Sequence, residues 1–192
     1  IRKLPFSIYP FIVFQDDIDL INKILLKKHK TLNNYIDITR GFEFGYNNSS
    51  IHTTKNNYPL LKPESIKSYI INEEYDLYVT PDFNNRSTFK TEELFLNKPK
   101  LVTKFISNDI VFAIDNIGYV NTNVVYNCHL KDTSNLSLNM LLGFLNSKLI
   151  SYWFKISFLN LDTLFPHIQK NQLDSIIIPE DINWKSIGEI TK

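Results

Sequence analysis

Leu138-Asn139-Met140-Leu141-Leu142-Gly143-Phe144-Leu145-Asn146-Ser147-Lys148-Leu149-Ile150-Ser151-Tyr152-Trp153-Phe154 carries a sustained helical pattern. Leu138, Leu141, Leu142, Leu145, Leu149, Tyr152, Trp153 and Ile156 recur at spacings of three and four, which places them on one broad stripe of a single long helix. Ser134 or Ser137 supplies the N-cap, because a short hydroxyl accepts from the free N–H groups of a first turn. Lys148 and Lys155 share a face outside the stripe and point to solvent. A helix with one apolar stripe needs a surface to bury it against.

The surface is supplied by strand patterns elsewhere. Tyr35–Thr39 alternates like a half-buried strand and runs into Arg40-Gly41-Phe42-Glu43-Phe44-Gly45, whose glycines mark close or unusual backbone. Ser68–Ile71 and Leu77–Thr80 are further short strands. Leu101–Ile106, Ile110–Ile114 and Tyr119–Tyr126 read as three consecutive strands, with Asn108-Asp109 and Asn116-Ile117-Gly118 as turns, hence an antiparallel meander. Ser175–Ile178 gives a last strand, after a Phe165-Pro166 turn. Ahead of these, Ile1 to Phe14 is an extended apolar lead-in, and Asp16 or Asp17 caps a helix bearing Ile18, Ile21, Leu25 and Leu26 on one face. Lys23, Lys27, Lys28 and Lys30 crowd its C-terminal half, where cations suit the helix dipole. The fold class is α+β: a mixed, largely antiparallel twisted sheet braced by the long helix.

Several short words sit in a fixed order along this pattern: Pro99-Lys100-Leu101-Val102, Ala113-Ile114-Asp115-Asn116-Ile117-Gly118, Leu145-Asn146-Ser147-Lys148-Leu149, Phe165-Pro166 and Ile176-Ile177-Ile178-Pro179. In that order the set resembles the TaqI-like C-terminal specificity domain, the target-recognition part of adenine-specific DNA methyltransferases and type IIG restriction–modification enzymes. It is also similar to the recognition domains of type I specificity subunits. The resemblance implies a target recognition domain over residues 35–180, preceded by a lead-in segment and helix (1–34) and followed by the start of another element (181–192) around Trp184 and Ile187. The chain opens on Ile1 without a methionine and stops in mid-pattern, which reads as a piece of a longer polypeptide.

Composition sets outer bounds. The 192 residues suffice for one domain with a real core, and 43% hydrophobic with 21% charged residues excludes a disordered chain. A net charge of +1 excludes a bulk basic field, so any contact with nucleic acid must be local. The single cysteine, Cys128, rules out an internal disulfide and suits a reducing, cytoplasmic setting. No apolar run approaches the roughly 18 residues that span a bilayer, so no membrane partner is expected.

Catalytic constellations are missing from the sequence. No Asn-Pro-Pro-Tyr word and no Gly-rich cofactor turn is present. Pro81-Asp82 begins like a nuclease metal site, yet no Asp/Glu-x-Lys triplet follows anywhere. Glu92-Glu93 is therefore a solvated helix start. Cys128 and His129 are adjacent on a strand and point to opposite faces, which excludes a nucleophile–base pair. His29, His52 and His167 lack the short spacings of zinc sites. The chain is expected to be non-catalytic and to hold no cofactor or metal.

Two polar loops carry side chains of the types that read DNA. Arg pairs with guanine, Asn with adenine, and Lys with phosphate. The first, around Tyr46 to Tyr58, offers Arg40, Tyr46, Asn47, Asn48, His52 and Lys55. The second, Pro81 to Lys90, offers Asn84, Asn85, Arg86 and Lys90 beside Phe83 and Phe89. Lys98, Lys100 and Lys104 are phosphate contacts or exposed strand-edge residues. A bland reading makes both loops soluble connections. The resemblance favours binding: sequence-specific recognition of double-stranded DNA on behalf of a methyltransferase domain, on the same chain or a partner subunit. That parent enzyme, a phage-defence restriction–modification protein, would use S-adenosylmethionine and, where it cleaves, Mg2+. The alternatives are a single-stranded nucleic-acid binder or a protein-interaction module docking through the long helix.

Overall fold

The computed structural model describes residues 19, 22–23, 26–43, 51–54, 57–72, 77–83, 91–158 and 166–191. Its strands are β1 (His29–Thr31), β2 (Ile36–Arg40), β3 (Ile51–His52), β4 (Tyr58–Leu61), β5 (Tyr78–Val79), β6 (Lys100–Lys104), β7 (Phe112–Asp115), β8 (Val120–Asn121), β9 (Val125–Leu130) and β10 (Ile177–Pro179). The helices are α1 (Glu92–Leu96), α2 (Leu138–Leu145), α3 (Lys148–Phe158), α4 (Lys170–Asp174) and α5 (Trp184–Ile190). The expected lead-in falls outside the described residues, and of the apolar face expected on the first helix only Leu26 is described, where it is exposed.

The main sheet has the order β2-β9-β6-β7, with every neighbouring pair antiparallel. Alternation divides its side chains between two cores. Ile36, Ile38, Leu101, Phe112, Tyr126 and Cys128 face the helices and join Leu141, Leu145, Trp153 and Phe154 in one cluster. Val102, Ala113 and Val125 face the other way, onto Leu61, Ile66 and Tyr119. The two inner strands are thus covered on both sides, and the fold is the α+β arrangement the alternation implied. A second sheet, β3-β5-β4-β8, has one parallel pair, β4 with β8, and its own core around Phe42, Val79 and Phe95.

The helical stretch departs from expectation at its middle. It is two helices, broken at Asn146-Ser147. Ser137 caps the first by accepting from Met140 N–H at 3.3 Å. Asn146 ends it, because its amide is engaged elsewhere: the side-chain oxygen accepts from Phe112 N–H and the nitrogen donates to Phe112 C=O, each at 2.9 Å. Ser147 then starts the second helix by accepting from Ile150 N–H. The break shifts the phase by one residue, so α3 buries Ile150, Trp153, Phe154 and Ser157. Leu149 and Tyr152, expected in the stripe, are exposed. Full burial of a side chain such as Phe154 contributes about 1.5–3 kcal/mol.

The meander is also corrected. β6 and β7 form the expected hairpin, but the expected third strand is divided between sheets. After β7 the Asp115 carboxylate accepts from the N–H groups of Ile117, Gly118 and Tyr119 at 2.8–3.0 Å, with Gly118 at φ +89°. That turn delivers Val120-Asn121 to β4, and only Val125 onward returns to the main sheet, on the far side of β6. The outer edge of β7 is covered instead by Tyr69 (φ +76°), whose N–H donates to Phe112 C=O and whose carbonyl accepts from Ile114 N–H. The expected strand Ser68–Ile71 is therefore a pair of isolated bridges.

Two glycines permit close crossings. A Cβ at Gly41 would lie 2.2–2.4 Å from Asn121 Oδ1, Asn121 C=O and Thr122 C=O, so no side chain fits where the chain passes between the sheets. A Cβ at Gly143 would lie 2.6 Å from Thr191 Cγ2, which lets α5 settle directly on α2. β1 pairs antiparallel with β10, bringing residues 29–31 and 177–179 side by side.

Candidate nucleic-acid interface

At one end of the main sheet β2 and β6 finish while β7 and β9 begin. Arg40 is the last residue of β2 and lies opposite Tyr126 on β9, which in turn lies opposite Thr103, the neighbour of Lys104. Arg40 has the parity of Ile36 and Ile38, so it projects on the helix side; Lys104 has the parity of Val102 and projects on the other. One sheet end therefore presents a guanidinium on one face and an ammonium on the other.

Arg40 is held firmly. Its Nε donates to Asn123 C=O at 2.6 Å, and its guanidinium carbon lies 4.0 Å from the centre of the Phe105 ring. That ring also stacks on His167, centroids 4.7 Å apart. A planar cation on an aromatic face keeps its remaining donors in a defined plane, which suits bidentate contacts. Burial raises the Tyr126 pKa and the nearby Arg40 charge opposes the rise; the Tyr126 hydroxyl donates to Ile168 C=O at 3.0 Å. Lys104 is half-buried. Desolvation lowers its pKa, the like charge of Lys67 lowers it further, and Glu64 acts the other way.

Of the residues expected to touch DNA, Arg40 and Lys104 thus share this end, on opposite faces, while His52 is on β3, the edge strand of the second sheet. Tyr46, Asn47, Asn48, Lys55, Asn84, Asn85, Arg86 and Lys90 lie outside the described residues. Lys100 is corrected as a phosphate contact. It is fully buried, 2.6 Å from Asp115 Oδ2, and its ammonium also donates to Phe95 C=O. It lies under Phe95, which belongs to the core of the second sheet, so the strand is covered there and Lys100 is neither a phosphate contact nor an exposed edge residue. Lys98 is exposed and donates to Ile117 C=O at 3.2 Å. Phe105, Asn123 and His167, which position Arg40, were missed, since nothing local in the sequence ties residues so far apart.

The remaining chemistry is structural. Cys128 is fully buried and burial pushes its thiol pKa up, whereas His129 points to the opposite face, with Nε2 2.8 Å from Leu94 C=O. Among the described residues no three His, Cys, Asp or Glu side chains are placed to hold a metal. No described helix is long and apolar enough to cross a membrane. A cleft of about 570 Å³, lined by residues including Pro99, Leu130, Leu138 and Thr191, opens at the opposite end of the sheet from Arg40.

The family model described as the TaqI-like C-terminal specificity domain matches residues 58–178. Comparison with curated protein sequences gives no match. Among solved structures, the HsdS subunit from Thermoanaerobacter tengcongensis is similar at TM-score 0.54 and 14% identity, over 85% of this chain and 36% of that one. A chain from a type I R-M system complex is similar at TM-score 0.57 and 13% identity, over 85% and 37%. The type IIG restriction endonuclease BpuSI is similar at TM-score 0.58 and 13% identity, over 93% and 28%. At such identities the likeness is one of fold, and the chain spans little more than a third of these proteins at most.

Proposed function

Because the chain belongs to the TaqI-like C-terminal specificity domain family, we propose that it recognises sequence in double-stranded DNA, with the sheet end that bears Arg40 and Lys104 turned toward the duplex. The observation that supports this is their placement on opposite faces of one sheet end, with Arg40 clamped between Asn123 C=O and Phe105. A guanidinium fixed in a plane can read a base edge bidentately, and an ammonium on the other face of the same sheet end can hold the backbone. The chain supplies recognition only. A methyltransferase domain, on the same polypeptide or a partner subunit, would bind S-adenosylmethionine and modify adenine, and a nuclease part, where one exists, would use Mg2+. The setting is a cytoplasmic restriction–modification system acting in phage defence.

The single-strand alternative is less well supported. Stacking of bases needs a free aromatic face, and the Phe105 ring already carries Arg40 and His167. Fluorescence anisotropy of a labelled duplex and of its separate strands, each titrated with the chain at two salt concentrations, tests the proposal. Duplex binding that weakens with salt is expected. A folded chain that ignores the duplex, or holds single strands equally well, refutes it.

A further inference from the structure

Resting on that reading, we propose that Lys67 and Lys104 together seat one backbone phosphate of the bound DNA, on the face of the sheet end opposite Arg40. Their convergence follows from the way the 66–69 segment is attached. Tyr69 bridges Ala113 in parallel, and Ala113 lies opposite Val102 on β6. Stepping back two residues from Tyr69 moves toward the Phe112 end of β7, which is also the end where β6 finishes at Lys104. Lys67 is fixed there by its own N–H donating to Ile70 C=O at 3.0 Å, and its side chain is exposed.

The charges around this pair differ from those around most other described lysines. Lys27, Lys28, Lys30, Lys100, Lys131, Lys155 and Lys170 each have a carboxylate as ion-pair partner. Lys104, although half-buried, has a second cation as its strongest charged neighbour, with Glu64 weaker. Two like charges held together, one of them partly desolvated, are unfavourable in the free chain. An anion placed between them removes the repulsion and replaces the lost hydration. A phosphate diester fits this seat, because its two free oxygens accept from two separate ammonium groups without the planar match that arginine requires. Inorganic phosphate shares that chemistry, so the experiment must separate the two sources.

Lys67→Gln, Lys104→Gln and the double variant are compared with wild type by anisotropy on a panel of duplexes over a salt series. Loss of the one phosphate contact flattens the slope of log K against log salt by about 0.9 in the double variant. The weakening should be uniform across the panel, since a phosphate contact carries no sequence information. Lys67→Glu, which gives Lys104 a carboxylate neighbour in place of the phosphate, should bind more weakly than Lys67→Gln. Because Lys67 is exposed, its variants keep the fold, and their melting temperatures should match or exceed that of wild type. An unchanged salt slope with wild-type DNA affinity in the double variant or in Lys67→Glu overturns the assignment. Calorimetric binding of inorganic phosphate that is lost in the double variant, with DNA binding intact, overturns it in favour of a free-anion site. Failure of wild type to bind any duplex is a different result, and removes the DNA reading together with this one.

Discussion

Asn146→Ala should destabilise the chain well beyond what a half-buried residue at a helix end normally costs. The Asn146 side chain makes three hydrogen bonds: one accepted from Phe112 N–H, one donated to Phe112 C=O, and one donated to Leu142 C=O at 3.1 Å. After truncation, Phe112 C=O keeps the Tyr69 N–H and Leu142 C=O keeps the Asn146 backbone N–H. The Phe112 N–H keeps nothing, on a residue that is fully buried. An unsatisfied buried donor costs about 1–3 kcal/mol and the lost amide-to-carbonyl bonds add about 1, giving about 2–4 kcal/mol in all. For a chain of this length that corresponds to a fall of about 5–15 °C in melting temperature. Urea unfolding followed by circular dichroism reads it directly. Asn146→Asp serves as the comparator, since it keeps an acceptor for the N–H but sets a carboxylate against Phe112 C=O, and should be no milder. An alanine variant within about 0.5 kcal/mol of wild type, the usual range for a surface change, would refute the reasoning.

Other consequences follow from the buried polar groups. Lys100→Met leaves the Asp115 carboxylate in the interior without its counter-ion, held only by three N–H groups, and should cost about 3–5 kcal/mol by the same unfolding assay. For His129, burial lowers the pKa below its ordinary 6.5, with Lys100 adding to the shift and the Leu94 carbonyl, Asp37 and Asp115 opposing it. The unfolded chain therefore binds the proton more readily, so His129 contributes stability that is intact above pH 6.5 and is lost as the pH falls from there toward the folded pKa. The stability difference between wild type and His129→Gln, measured from pH 7.5 to pH 5, should narrow toward the acid end; a constant difference counts against it. Cys128, buried with its thiol pKa raised, should react with a disulfide reagent only as fast as the chain opens, a rate that urea accelerates. Immediate labelling of the native protein would contradict its placement.

Much of the fold was legible because alternation and turn chemistry are local signals. Asn108-Asp109 marks the β6–β7 hairpin, and Ile36 and Ile38 declare which face of β2 is inside. The helix break was not legible: three-and-four periodicity survives a one-residue phase shift, and the partner that claims Asn146 is 34 residues away. The Leu145-Asn146-Ser147 word was visible as a word, but its roles as core anchor, clamp and cap emerge only with β7 in place. The split of the third strand hides for the same reason, since the Asp115 carboxylate looks like any strand-end acid until its three N–H partners are seen. At the candidate site, residue type pointed to Arg40 and Lys104. It also pointed to Lys100, because charge says nothing about whether a second layer lies over a strand.

The pairing of β1 with β10 means that the polypeptide enters and leaves the body between them at neighbouring points, in opposite directions. The described residues between 32 and 176 are thus bracketed by two strands that lie side by side. α5 follows β10 and packs back on α2 across Gly143 and Phe144, so the chain that leaves at this point is fastened again to the body it has just left.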